Sequence, residues 1–151
     1  MTAQFRIETQ TELPLELLFE RSLSIDDHLA SMAASGERAV AGVTEGQIGL
    51  SESVTWRARH FGVTFAMTSL ITEFQAPHRF VDQQLKGPFK DFHHEHRFSR
   101  AGGVTTMTDV ITFTAPFGPL GRLVERLVLR RYLQHLIGER NAFLIRPSIP
   151  S

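Results

Sequence analysis

The chain has 151 residues, no cysteine and a net charge of zero, with 42% hydrophobic and 21% charged residues. That length suits a single domain with a sizeable core, and the composition is that of a globular protein, not a disordered one. Lack of cysteine excludes disulfides, thiol nucleophiles and thiolate metal sites together, and fits a reducing cytoplasm.

Zero net charge removes the global basic signal for nucleic acid, so no nucleic-acid partner is expected. No apolar run reaches membrane-spanning length, and no basic region followed by an apolar one opens the chain. Neither secretion nor stable membrane insertion is expected, and a cytoplasmic location is. The charge is uneven. Residues 1–50 carry three Arg against eight acids, whereas residues 116–151 carry six Arg against Glu125 and Glu139. Mutual attraction of the two ends is expected.

Residues 3–9 alternate, with Phe5 and Ile7 between Gln4, Arg6 and Glu8, which predicts a strand. Pro14 suits the first position of a helix with the apolar stripe Leu15, Leu18 and Phe19. Ser24 followed by Asp27 is a capping box for a second short helix, carrying Ile25, Leu29 and Met32 and ended by Gly36. From 38 to 115 the period becomes two. Strands are predicted near 38–43, 48–60, 63–75, 78–86, 90–100 and 104–115, divided by Gly46, Gly62, Pro77, Gly87-Pro88 and Gly102-Gly103. The short connections make them antiparallel neighbours in a meander.

After Pro116 and Pro119 the period returns to about 3.6. Leu120, Leu123, Val124, Leu127, Val128, Leu136 and Ile137 predict a helix of about five turns, closed by Pro147. Arg122, Arg126 and Arg130 form a stripe on another face, read as solvated, with a contact to anionic lipid or an acidic partner as the alternative. The whole is an α+β fold: a strongly curved seven-stranded antiparallel sheet around a long C-terminal helix, with two short helices between strands 1 and 2. Sheet and helix curve differently, so a ligand cavity between them is expected.

This element order is joined by Val54-Thr55-Trp56-Arg57-Ala58-Arg59-His60-Phe61-Gly62, Gly87-Pro88-Phe89, His94-x-His96-x-Phe98, Asp109 and Pro116-Phe117-Gly118-Pro119-Leu120-Gly121. Together they resemble the START-like (SRPBCC) superfamily, in its bacterial branch labelled cyclase/dehydrase-like or ligand-binding. The resemblance spans nearly the whole chain. It implies one helix-grip domain over 1–151 and a cavity for a hydrophobic ligand. It implies no reaction, because the superfamily mixes lipid carriers, hormone receptors and aromatic-polyketide cyclases.

A two-residue turn at Gly102-Gly103 pairs Phe98 with Met107, His96 with Asp109, His94 with Ile111 and Phe92 with Phe113. All eight then share the concave face, and Thr106, Thr108, Thr112 and Thr114 take the other. A turn at Phe61-Gly62 puts Val54, Trp56, Ala58 and His60 on the concave face with Phe65, Met67, Ser69 and Ile71. A two-residue loop at Ala76-Pro77 sets Asp82 opposite Ile71, with Phe80 and Gln84 on its face.

The predicted ligand wall is thus Trp56, His60, Met67, Phe80 and Phe92 with Met107 and Ile111. The predicted polar island is His94, His96, Asp109 and Asp82. Four roles fit the island. His96 and Asp109 can be a bonded structural pair, or the island can orient a ligand's polar head. His96 and His94 with Asp109 can be acid–base groups of a cofactor-independent cyclase or dehydratase. Or His94 and His96 can share a metal with Asp109, Asp82 or His60.

No further spaced ligand motif is present, so neither metal nor cofactor is expected. No serine elbow, phosphate loop or dinucleotide fingerprint is present. The preferred reading is a binder of a small hydrophobic molecule: a carrier, sensor or sequestering protein. The enzyme is its alternative. A third reading is an interaction module with a vestigial, filled cavity. Nothing excludes a weak homodimer.

Overall fold

The structure, a computed structural model, describes residues 2–147 apart from the side chains of Glu125 and Arg126. Strand β1 (Ala3–Thr11) leads to helices α1 (Leu15–Leu23) and α2 (Ile25–Ser31) and a 3₁₀ turn at Ala33–Ser35. Strands β2 (Arg38–Gly42), β3 (Ser53–His60), β4 (Val63–Gln75), β5 (Arg79–Lys86), β6 (Asp91–Ala101) and β7 (Val104–Thr114) follow. Helix α3 (Gly118–Val124) passes through a π stretch (Glu125–Leu129) into α4 (Arg130–Leu144). The seven strands form one antiparallel sheet in the order β1-β7-β6-β5-β4-β3-β2. No helix is long and apolar enough to cross a membrane.

Local chemistry explains most boundaries. The Ser24 hydroxyl accepts from the Asp27 amide at 3.1 Å and caps α2. Pro119 lies in the first turn of α3, where no amide proton is needed. The helical stretch ends at Leu144, short of Pro147. The expected strand 48–60 begins only at Ser53. Ser51 is left-handed (φ 63°), and Ile48 is buried because its amide bonds the Leu23 carbonyl at the α1–α2 joint.

The Gly102-Gly103 turn is left-handed at both residues (φ 57° and 78°), and the β6–β7 register is the predicted one throughout. Between β4 and β5 the loop holds three residues, not two, because Gln75 pairs with Arg79. A bulge between Ile71 and Glu73 then absorbs one residue and restores Asp82 opposite Ile71.

At the β2–β3 edge, a Cβ on Gly42 (φ 73°) would sit 2.1 Å from the Ser53 carbonyl oxygen. Gly42→Ala is therefore expected to cost about 2 kcal/mol or more in urea unfolding, through both the left-handed backbone and the collision.

Two apolar clusters cover only part of the concave face. Leu15, Leu18, Phe19 and Leu23 of α1 pack on Phe80, Phe98 and Met107, with Phe19 edge-on to Phe98 at 5.2 Å. Leu133 and Ile137 of α4 pack on Phe5, Phe92, Ile111 and Phe113. Seven strands at about 4.8 Å spacing span roughly 29 Å, while α1 is nine residues long, about 13 Å. Val54, Ile71 and Phe80 join the α1 cluster, and the rest of the β3–β5 side is left uncovered. The expected attraction between the chain's ends does not appear as ion pairs among the described residues. Instead Arg21 donates to the Leu144 and Arg146 carbonyls at 2.9 and 2.7 Å, capping α4.

Candidate functional site

The uncovered side is a cavity of about 850 Å³ between the sheet and the C-terminal helical stretch. The interior is therefore not filled, as a vestigial cavity would require. Eight predicted residues line it: Trp56, His60, Met67, Phe80, Asp82, Phe92, His94 and His96. Three do not. Met107 lies fully buried under α1, with Ser22 Oγ 3.6 Å from its sulfur. Ile111 is buried under α4, in the cluster with Leu133 and Ile137. Asp109 is fully buried behind the imidazoles. These three belong to β7, the strand that α1 and α4 cover directly, so the right face faces helix instead of space.

The strand registers give the cavity a direction. The turns at Phe61-Gly62 and Gly87-Pro88 and the start of α3 lie at one end of the sheet. Phe61, Phe89, Phe117 and Leu120 line the cavity there, at its mouth. His60 Nδ1 meets the Tyr132 hydroxyl at 2.5 Å and ties β3 to α4 at this rim. Trp56, Met67 and Phe92 form the wall further in. Asp82, His94 and His96 lie at depth, on strand centres.

The polar island is bonded differently from expectation. His96 does stand opposite Asp109 in the ladder. Yet it is His94 whose Nε2 bonds Asp109 Oδ1, at 2.7 Å. His96 Nε2 instead bonds Asp82 Oδ2, also at 2.7 Å. His96 Nδ1 is 3.4 Å from Asp109 Oδ1 and has no hydrogen-bond partner among the described residues. The reason is ring stacking. Phe80, His96 and His94 form a three-ring pile with centroids 4.0 and 3.7 Å apart, which turns both imidazole edges toward neighbouring strands.

Two residues of α4 complete the island and were missed. Asn141 Nδ2 donates to Asp109 Oδ2 at 2.7 Å, and Arg140 Nη1 donates to Asp109 Oδ1 at 3.4 Å. Arg140 also lines the cavity. The signal was present in the 3.6 period: Leu133, Ile137, Arg140, Asn141 and Leu144 are the buried face of α4. Two polar residues on an apolar stripe mark a bonded interior site.

Burial pushes the Asp109 carboxyl up, but the hydrogen bond from His94, the close approach of His96 and the charge of Arg140 hold it well below the usual carboxylate range. Asp82 follows the same logic, lowered against burial by the His96 bond and the charges of His94, His96 and Arg140. Burial and the neighbouring His96 push His94 down, more than its carboxylate partners raise it. An ionised Asp109 only accepts, so His94 Nε2 carries the proton and the neutral ring leaves Nδ1 as an acceptor. At the rim, burial lowers His60 against the raising charge of Glu37.

One atom from each of Asp82, His94 and His96 lies within 4.8 Å of the others, so these three are the donor set a metal ion could use. The rings stack at 20°, so their lone pairs run nearly parallel instead of converging on one point. Arg140 adds a positive charge beside them. Both features oppose a cation.

Solved structures with the same fold are similar in shape and distant in sequence. TTHA0849 from Thermus thermophilus matches with a TM-score of 0.74 and 16% identity, covering 94% of this chain and 97% of its own. The Zhui aromatase/cyclase from a Streptomyces species matches at 0.69 and 12%, covering 95% and 94%. The major latex-like protein 151 from Panax ginseng matches at 0.64 and 13%, covering 96% and 99%. No protein-family model and no curated protein sequence matches the chain. Over nearly its full length, then, the chain shares the fold of these proteins, a curved antiparallel sheet around a C-terminal helix.

Proposed function

We propose that this chain, acting as one START-like domain in the cytoplasm, binds a small hydrophobic molecule such as a lipid, as a carrier, sensor or sequestering protein. The cavity carries this reading. Its volume of about 850 Å³ falls in the range of small-molecule sites. Its wall of Trp56, Met67, Phe80 and Phe92 suits an apolar body. Its deep end, with Asp82, His94, His96 and Arg140, suits a single polar head.

Native mass spectrometry of freshly purified protein is expected to show a retained small molecule. Apolar compounds at about a hundredfold excess over Kd should stabilise the fold by about 2.7 kcal/mol, a Tm rise of roughly 5–10 °C. Met67→Trp should narrow the cavity at its wall and reduce that rise while the unliganded protein stays folded. No retained molecule and no stabilisation by any apolar compound would overturn the reading.

A second reading is favoured by one observation. His94 presents an unprotonated Nδ1 beside the cavity, with Asp109 bonded to its other nitrogen, as a general base is arranged. A cofactor-independent cyclase or dehydratase would use it with His96, and an aromatase/cyclase shares the fold. Such an enzyme should lose turnover yet keep its ligand in His94→Gln, whereas a pure binder should lose affinity alone.

A further inference from the structure

The mouth end of the molecule carries an exposed apolar surface with a basic surround. Phe61 is 62% exposed and Phe117 82%, and Leu123 and Leu127 are 55% and 62% exposed. Val63, Leu85, Leu120, Val124 and Val128 are exposed as well. They come from three separate segments, the β3–β4 turn, the end of β5 and the α3–π stretch. The registers bring all three to the same end of the sheet. A domain with no partner there gains nothing from such a patch.

Two of these residues are held at a conformational disadvantage. Phe61 and Phe117 both have left-handed backbones, with φ of 53° and 71°. Bulky side chains are rare there, since glycine or asparagine fits without strain. Phe61 packs one side on the Tyr132 ring, with centroids 4.5 Å apart, and still leaves most of its surface to solvent. Phe117, at 82% exposed, holds a large aromatic group that buries little within the chain.

The surrounding charge is one-sided. Arg59, Lys86, Lys90, Arg122, Arg130 and Arg131 are exposed near this end, against Asp91 and the half-buried Glu37, with the Glu125 side chain outside the described residues. Arg122, Arg130 and Arg131 form no ion pair among the described residues. Glu12, Glu45 and Glu52 are exposed at the opposite end, together with Arg100. The chain is neutral overall, with its exposed cations in excess at the mouth end. Of the predicted stripe, Arg122 and Arg130 are exposed, and the Arg126 side chain lies outside the described residues.

We infer that this end docks peripherally on an anionic lipid bilayer, apolar tips in the interface and cations at the headgroups. The match is chemical: interfacial binding needs apolar side chains to bury and positive charge to meet anionic lipid. A second copy would place the same cations against each other across a two-fold axis, which opposes a dimer through this face. Phe61, Phe117, Leu120 and Val124 ring the exposed rim of the cavity, while Leu123, Leu127 and Val128 lie outside its wall. A fluid interface accepts them, whereas a folded partner would need a pocket for each. Phe61, Phe117 and Leu120 both line the cavity and are exposed at this tip, which places its mouth there. A docked molecule would present its mouth to the lipid phase, so an apolar ligand could exchange without crossing water.

Sedimentation of the full chain with vesicles tests this. Vesicles of phosphatidylcholine with about a third phosphatidylglycerol should bind it at least about tenfold more tightly than phosphatidylcholine alone, and less tightly as salt rises. Leu123→Asp with Leu127→Asp, two positions outside the cavity wall, should lose at least about tenfold of that binding. The double variant should keep the wild-type Tm and its stabilisation by apolar compounds. No vesicle binding, equal binding to both vesicle types, or unchanged binding of the double variant would overturn the inference. A concentration-dependent dimer that the double variant abolishes would overturn it too, by assigning the face to a second copy. Vesicle binding that persists when no apolar compound stabilises the protein would leave this inference standing and sink only the cavity reading.

Discussion

Asp109→Leu is expected to cost about 3–5 kcal/mol in urea unfolding, the scale seen when one partner of a buried charge network is removed. The side chain is fully buried and accepts from His94, Asn141 and Arg140. Leucine would leave the His94 imidazole N–H without an acceptor and strip the Asn141 amide and the buried Arg140 guanidinium of their charged one, leaving them only Thr9 Oγ1 and Asn141 Oδ1. Asp109→Asn should also be costly, about 1–3 kcal/mol, because both carboxylate oxygens accept and the asparagine amide must turn a donor toward one of the donors. A second substitution separates the partners. Replacing Arg140 by Met in the Asp109→Leu background removes the stranded charge and should recover more stability than replacing His96 by Leu, since His96 hydrogen-bonds Asp82. A loss under about 1 kcal/mol, or better rescue from position 96, would show that the network does not act as a unit.

That ranking of rescues could not be read from the sequence, although the residues could. Alternation and the Gly102-Gly103 turn placed His94, His96 and Asp109 on one face correctly, because a two-residue period and a fixed turn leave one register. Which imidazole bonds which carboxylate depends on ring orientation, and the Phe80–His96–His94 stack decides it. Stacking between strands has no signature in linear spacing. Asp82 reached its predicted neighbour through two irregularities, a longer loop and a bulge, that offset each other.

The fold followed from period changes along the chain, from 2 to 3.6. Met107 and Ile111 were misplaced because facing inward and facing a cavity are different properties. Parity gives the first. The second depends on where two helices of limited length happen to lie. Arg140 entered only a count of charge by sequence position, which does not separate the faces of a helix.

The second large effect expected is a loss of stability on acidification that begins near pH 6.5. His94 is held below the ordinary imidazole value, chiefly by burial. The unfolded chain then binds a proton that the folded chain resists, so stability falls as pH drops below the unfolded value, at up to 1.36 kcal/mol per pH unit for one full proton. His60 is lowered as well and acts in the same direction. Asp82 and Asp109 come next. Both are lowered, and Asp109 well below the ordinary range. Their contribution is complete above the unfolded value near 4 and is lost as pH falls through the folded values. The unfolding free energy measured from pH 8 to 3 should therefore bend twice. His94→Gln should reduce the slope between about pH 6.5 and 5 and, because the His94 bond helps hold Asp109 low, weaken the lower limb as well. Asp109→Asn should lower the whole curve and flatten it below about pH 4. A wild-type curve that stays level or rises from pH 7 to 5 would mean that His94 is charged in the fold. It would then have no free lone pair for a bound molecule, and the general-base role would fall with it.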